Sequence, residues 1–473
     1  MKNIKFIKSQ FSIITLVLTL ASVAFSACKD DIEVGKIDEN NYVIGEGHLA
    51  YINDDNGKYL FSNVEFRKEG NISLYLNVQQ KLPAASAVSV SYDRSVLDQF
   101  NAKSDAGYEA FPENLLTLSD KGVITLKAGE LKSSGMKVSL TTGNSLSSEK
   151  TYVIPLRMEV ASGDLKLSQR DETKLIFVKD LTGLADCNKA SGVKVFSCME
   201  VNDTNPLNNL SFTLKSTGQP LVDVLIIFSA NINYDEATGR VYVFNNENVQ
   251  AILDNRQHYL KPLQDRGMKI ILGILGNHDH SGIANLSDET AKAFAKEVKA
   301  VCDAYQLDGI FLDDEYSAYQ IPPPPGFEIP SNDAAARLCY EVKQAQPERW
   351  VIAYVYGRTY SLPAVDGVES GQFVDYALHD YGRSSDLSYN FPGMPKSNMG
   401  LYSQEFARGY IMSEANLKQM REEGYLSHMI FAMDPYRYNF LSTQMSAMER
   451  MAKIFYDDEL VFDGIKYPKD WIK

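Results

Sequence analysis

Leu307-Asp308-Gly309-Ile310-Phe311-Leu312-Asp313-Asp314-Glu315-Tyr316 is an apolar run that ends in carboxylates. The run reads as a strand, and successive side chains of a strand take opposite faces. Asp313 and Glu315 therefore point the same way, about 6–7 Å apart along the chain. Two carboxylates on one face at a strand's C-terminal end is where a (β/α)8 barrel carries its catalytic groups. The plainer alternative makes them cap and loop acids of a strand-to-helix junction.

The surrounding texture supports the barrel. Downstream of a hinge around 180–191, apolar runs alternate with stretches rich in helix formers, the signature of βα units. Eight candidate strands are legible, at 193–201, 222–229, 269–275, 309–313, 350–355, 373–377, 399–402 and 428–433. Stretches such as 248–266, 288–304 and 333–346 between them open with Asn, Asp or Ser at cap-like positions. From about 45 to 178 the pattern is different, with short period-two runs separated by turn residues, as at 72–78, 88–92, 123–126, 136–140 and 152–156. The expected architecture is an all-β sandwich over 45–178, a linker over 179–191, and an α/β domain, a (β/α)8 TIM barrel, over 192–473. No cluster of His, Cys or paired acids falls in the sandwich. The proline tract 322–325 follows Glu315 and stiffens one rim of the expected cleft.

A chain of 473 residues is long enough for two such domains, and its 44% hydrophobic and 23% charged residues are those of a globular protein. The net charge is −14, and removal of 1–27, which holds three lysines and no acid, leaves −17. That balance argues against nucleic acid and against an anionic membrane surface as partners. Residues 1–27 read as a signal peptide, with a basic start, an apolar run from Phe11 to Phe25, and Ser26-Ala27 before Cys28. Cys28 resembles the lipidated residue of a bacterial lipobox, although Phe25 stands where Leu is usual. Lys29-Asp30-Asp31 resembles the acidic export signal of surface lipoproteins in Gram-negative bacteria. The expectation is acylation at Cys28, a polar linker over 28–44, and an outer-membrane lipid anchor displaying the protein at the cell surface. Cys302 and Cys339 fall in expected helices as buried thiols, whereas Cys187 and Cys198 leave a disulfide open.

The opening segment resembles the D-G-x-D-x-D-x-E signature of glycoside hydrolase family 18, with Phe311 standing where the family has its first inner Asp. Further strand ends resemble its endoglycosidase H-like members. They are Phe228-Ser-Ala-Asn-Ile-Asn-Tyr-Asp235, Phe244-Asn-Asn-Glu-Asn-Val-Gln250, Leu275-Gly-Asn-His-Asp-His-Ser-Gly-Ile-Ala-Asn285 and Asp375-Tyr-Ala-Leu-His-Asp-Tyr381. The resemblance runs over roughly 192–456. The sandwich resembles the N-terminal β-domain of surface lipoproteins from gut-type bacteria, where a spacer role and accessory glycan contact both stay open.

The resemblance implies cleavage between the two core N-acetylglucosamines of N-linked glycans; high-mannose glycans are the expected substrate, although the choice against complex ones lies in loop lengths and rim shape that the sequence does not fix. The expected partner is an N-glycan or glycoprotein, a monomer is expected although the sequence does not fix the oligomeric state, and neither cofactor nor metal is implied. By the same resemblance Glu315 is the general acid, Asp313 holds the acetamide N–H and steadies an oxazolinium, and Tyr381 holds the acetamide oxygen. His379 takes the place of the family's Asn, and alternation puts it on the face of Tyr381, as a substrate contact or as a rim histidine bonded to a neighbour. Glu200, Asn231, Asn233 and Tyr234 are expected to line the cleft, and Asn277 and His278 to contact substrate or shape a loop. Tyr316 is expected to stack on a sugar, and Asp308 to be structural. Independently of the family, an anionic Asp two residues away and burial would both push Glu315 toward its protonated form. With Phe311 in place of an acid, Asp313 lacks the partner that shares its proton in most relatives.

Gly276-Asn-His-Asp also occurs in metallophosphoesterases, but their further metal ligands, typically Asp-x-His, Gly-Asp and Gly-His-x-His, are missing. Two other readings remain, a chitinase with the same machinery and a silent glycan-binding barrel. The strand-end motifs disfavour the first, and the retained Glu315 disfavours the second.

Overall fold

The computed structural model describes residues 48–471. The signal segment 1–27, Cys28 and the 28–44 linker lie outside the described residues. Two sheets form the N-terminal domain. One contains, in spatial order, Leu165–Leu167, His48–Asp54, Glu69–Val78, Met136–Thr141 and Leu116–Leu118. The other contains Ser62–Phe66, Thr173–Asp180, Tyr152–Ser162, Ser86–Tyr92 and Val123–Leu126. Alternate residues such as Leu74, Leu76, Val88, Val138, Ile154 and Ile176 close the core between them. Pairing is antiparallel except for three parallel ladders, including Ser62–Phe66 beside Thr173–Asp180.

The second domain is a nearly closed parallel barrel. Its strands are β1 (Lys194–Glu200), β2 (Val224–Asp235), β3 (Lys269–Leu275), β4 (Gly309–Leu312), β5 (Trp350–Val355), β6 (Tyr376–His379), a β7 in two pieces (Met399–Gly400 and Ser403–Glu405), and β8 (Ser427–Phe431). β8 pairs with β1 to close the circle. The two pieces of β7 serve different neighbours, Met399–Gly400 pairing with β6 and Ser403–Glu405 with β8. The continuous seventh strand expected at 399–402 is thus broken at Leu401-Tyr402.

Strand alternation sorts the side chains into two cores. Phe196, Cys198, Ile226, Ile271, Phe311, Ile352, Tyr354, Tyr376, Leu378 and Met429 fill the barrel interior. Their neighbours in sequence, such as Ile310, Leu312, Val351 and Ala353, pack outward against helices. Asp288–Tyr305 buries Ala291, Phe294, Ala295, Val298 and Cys302 on one face, and its N-cap Ser287 accepts from the Thr290 amide at 3.3 Å. Asn332–Ala345 does the same with Leu338, Cys339 and Val342 beneath a Ser331 cap. The helical stretch expected at 248–266 is three short helices, Glu247–Asp254, Arg256–Tyr259 and Lys261–Gln264, the last with Pro262 in its first turn. After β5 the outer layer thins to Gly357–Tyr360 and Ser370–Phe373.

The sandwich meets the barrel at the N-terminal ends of its strands. Lys58 donates to the Gly371 carbonyl at 2.5 Å and lies 3.7 Å from Asp375, immediately before β6. Lys343 binds the other Asp375 oxygen at 2.9 Å. Lys269, opening β3, is paired with Glu65 of the sandwich and lies 3.3 Å from Asp308, immediately before β4. Asp308 also accepts from the Ile270 amide at 2.9 Å, a structural role. Tyr108 and Asn63 reach Glu348 and the Pro347 carbonyl at 2.5 and 3.0 Å. All four cysteines of the described residues are buried free thiols, so Cys187 and Cys198 are not paired.

Candidate active site

The C-terminal ends of the strands surround a cleft of about 340 Å³. Phe311 and Tyr354 form part of its floor, their rings tilted at 5.5 Å, with Phe228 edge-on to Phe311 at 6.3 Å. Two residues above Phe311 on the same face, Asp313 is 2% exposed, and its Oδ1 has no hydrogen-bond partner among the described residues. Burial, then the nearby Glu315 and Asp314, hold the Asp313 carboxyl well above the usual range. The apolar Phe311 offers no acid on its own side of Asp313, so the carboxyl it couples with is Glu315.

Glu315 is half-buried, and its pKa is raised by burial first and by the Asp380 carboxylate second, with Arg408 pulling the other way. Asp380, from the loop after β6, is an anion beside it that strand spacing does not show, while the repulsion between Glu315 and Asp313 falls on Asp313 and raises it. Asp314 points away from the cleft. Its carboxylate takes the Tyr319 hydroxyl and the Arg358 amide, tying the end of β4 to the loop after β5.

The third-strand motif fixes the backbone of the acid. Gly276 donates to the Glu315 carbonyl at 2.9 Å and His278 to the Tyr316 carbonyl at 2.7 Å. His278 and Tyr316 both adopt positive φ, +59° and +58°, and their rings meet edge-on at 5.6 Å. Tyr316 projects at the rim, 58% exposed. The rest of the 277–280 motif is consumed in loop shape. Asp279 accepts from the Ser281 amide and hydroxyl at 2.8 and 2.6 Å and from the Tyr234 amide at 2.9 Å.

Tyr381 lines the opposite wall, its ring stacked on Phe431 at 6.2 Å and on Tyr410 at 5.6 Å. Arg408 donates to the Tyr381 hydroxyl at 3.0 Å. Glu200, in phase with Phe196 and Cys198 on β1, completes this side, its pKa raised by burial and then by Asp203.

Similarity to known proteins agrees with this geometry. The chain is 60% identical over 292 residues to endo-β-N-acetylglucosaminidase F1 of Elizabethkingia meningoseptica, covering 62% of this chain and 85% of that one. The chain belongs to the endo-β-N-acetylglucosaminidases. EndoBT-3987 of Bacteroides thetaiotamicron, solved with a Man5GlcNAc product, superposes with a TM-score of 0.82 at 34% identity, over 89% of this chain and 97% of that one. The same protein solved with a Man9GlcNAc2Asn substrate gives 0.75 at 32% identity with the same coverage. Residues 39–165 match the model of a family described as an N-terminal domain.

Within this enzyme the expected site residues separate. Glu200, Asn277, His278, Asp313, Glu315, Tyr316 and Tyr381 line one cleft, joined by Asn231. Asn233 and Tyr234 do not. β2 runs past the barrel rim and pairs with Arg240–Phe244, so Asn233 accepts from Asn277 at 3.0 Å and Tyr234 packs edge-on against Phe327 at 4.9 Å. Both support the loop that carries Asn277. His379 is not on the face of Tyr381. Tyr376 and Leu378 point inward, so His379 points out of the barrel, where its Nε2 accepts from the Ser385 amide at 3.2 Å and it lines a separate hollow with Arg383 and Asn390. The chain bends at Asp380, which brings Tyr381 back to the cleft. Arg408, Asn246, Ser229 and Asp380 were not singled out from sequence. Ser229, Asn246 and Asp380 lie inside the 228–235, 244–250 and 375–381 motifs, whereas Arg408 stands in none.

Proposed function

We propose that this enzyme hydrolyses the GlcNAc-β-1,4-GlcNAc bond in the core of N-linked glycans, high-mannose glycans foremost, with retention and with the substrate's acetamide as nucleophile. The observation that carries the reading is the meeting, on one cleft, of a half-buried acid of raised pKa, a nearly fully buried carboxyl two residues before it, and a tyrosine hydroxyl from the turn after β6. The relative solved with Man5GlcNAc and with Man9GlcNAc2Asn supports the substrate class.

Glu315 and Asp313 act as a coupled pair. The substrate's acetamide N–H donates to Asp313, which favours the anion there and leaves the proton on Glu315. Tyr381 donates to the acetamide oxygen and aims it at the anomeric carbon. As that oxygen bonds to the carbon, the glycosidic C–O bond breaks and Glu315 gives its proton to the leaving oxygen. The positive charge of the oxazolinium rests against the Asp313 carboxylate in a site of low dielectric. Water then attacks the anomeric carbon, Glu315 takes its proton, and the acetamide is released. No enzyme carboxylate bonds to the sugar, and family 18 is among the known exceptions to the two-carboxylate scheme.

The apolar segment, Cys28 and Lys29-Asp30-Asp31 support an acylated protein displayed at the surface of an outer membrane. Incubation with one high-mannose and one biantennary complex glycoprotein, with mass detection of released glycan, tests the activity and its preference. Glycan ending in a single N-acetylglucosamine is expected from the first. No release from either, with turnover of chitin oligosaccharides instead, would overturn the reading.

A further inference from the structure

The segment after β7 is built as a holder. Glu405, 1% exposed, accepts the Ala407 and Arg408 amides on its two carboxylate oxygens at 3.0 and 2.6 Å. The backbones of Glu405 and Tyr410 exchange both hydrogen bonds, 3.0 and 2.9 Å, and close the turn. A buried carboxylate that caps its own turn in this way fixes the hairpin's shape without help from solvent. The turn delivers two side chains to one target. Tyr410 stacks on Tyr381 at 5.6 Å with 29° between the rings, and Arg408 binds the Tyr381 hydroxyl at 3.0 Å with its guanidinium 5.7 Å from the ring centre.

A phenol can donate one hydrogen bond and accept others. Arg408 can only donate, so while it is bound the Tyr381 oxygen is the acceptor in that contact and its proton is turned elsewhere. Phe431 and Tyr410 stack against the ring, and the remaining polar direction opens on the cleft beside Glu315. We propose that Arg408 is a positioning residue for the glycosidase reaction, which commits the Tyr381 hydroxyl to donating into the cleft. The break in β7 serves this arrangement, because it lets Ser403–Glu405 follow β8 and places the turn beside Phe431. Charge assistance from the guanidinium also polarises the O–H it contacts, which strengthens the bond Tyr381 makes to an incoming carbonyl oxygen.

The inference rests on the role given to Tyr381 above, and a double-mutant cycle separates the two. Arg408→Met, Tyr381→Phe and the double variant are assayed for kcat, KM and melting temperature on one glycopeptide. Arg408 is exposed, so its replacement is expected to leave the melting temperature unchanged. Arg408→Met should lower kcat about tenfold, the scale of one lost charge-assisted hydrogen bond, with KM within about twofold. At a pH where Glu315 stays protonated, so that loss of the Arg408 charge beside it does not register, the same change should cost nothing further in the Tyr381→Phe background. Full activity of Tyr381→Phe would remove the role of Tyr381 itself. A large loss in Tyr381→Phe, with an undiminished further loss from Arg408→Met, would overturn the inference while leaving that role intact. An Arg408→Met enzyme with unchanged kcat would also overturn it.

Discussion

Gly276 and Glu315 are joined back to back. The Gly276 amide holds the Glu315 carbonyl at 2.9 Å, and a Cβ built on Gly276 would lie 2.5 Å from that oxygen and 2.3 Å from the Ser317 hydroxyl. The acid's backbone is therefore set by the end of β3 as well as by its own strand. Gly276→Ala must push one segment away from the other. Because misplacement of about 1 Å can cost on the order of 10²-fold, kcat should fall by a factor of that order in a protein that still folds. Circular dichroism and glycopeptide turnover together check it, and wild-type turnover would show that Glu315 is held by β4 alone.

Glu315→Gln removes the transferable proton and keeps the shape of the side chain. Turnover should fall by a factor on the order of 10² or more while glycan binding persists. Calorimetric titration with a high-mannose glycopeptide separates the two quantities. Near-normal turnover would remove Glu315 from the role of acid.

The charge on Asp380 adds to burial in raising the Glu315 pKa. As the proposed acid Glu315 works protonated, so activity should be lost as pH rises through its pKa. Asp380→Asn removes the anion, lowers that pKa, and should move the basic limb of kcat/KM to lower pH. A limb that stays in place would show that Asp380 does not act electrostatically on the acid.

A substrate-assisted route demands a product of retained anomeric configuration and inhibition by a thiazoline mimic of the oxazoline. Proton NMR of the first product anomer and a competition assay read both. Inversion, or a sugar trapped on a carboxylate, would replace this mechanism with another.

At the opposite end of the barrel, Lys58→Met removes a buried cation from Asp375, which keeps Lys343 at 2.9 Å. The cost should be about 2 kcal/mol, below the ~3–5 kcal/mol of a fully orphaned buried charge. Urea unfolding should register the loss while kcat at 25 °C is unchanged. A fall in kcat of the folded variant would reveal coupling from base to cleft.

Much of the barrel was legible because its signals are local. The spans 269–275 and 350–355 coincide with β3 and β5, and the alternation of β4 carries on through Asp313 to Glu315 although the strand ends at Leu312. Past the end of β6 it does not carry on. His379 and Tyr381 are two residues apart, but β6 stops at His379 and the bend at Asp380 breaks the phase. Asn233 and Tyr234 fall outside the cleft because β2, expected over 222–229, continues to Asp235 as a hairpin beyond the rim. The break in β7 is hidden because neither piece holds enough residues to show a period, and their partners lie on different strands. Arg408 stands in no motif. Its meaning comes from a tyrosine 27 residues away, and no sequence window of helical or strand length contains both.

The placement of the sandwich against the strand starts also bears on how such an enzyme can change. Lys58, Glu65 and Tyr108 engage the base, while Glu315, Tyr381 and Arg408 sit at the far ends of the strands. A rim loop can be lengthened or exchanged without exposing any charge buried at the base, and the base can be reinforced without narrowing the cleft. Endurance and selectivity are therefore separate inheritances in this chain, and directed evolution of one need not be bought with the other.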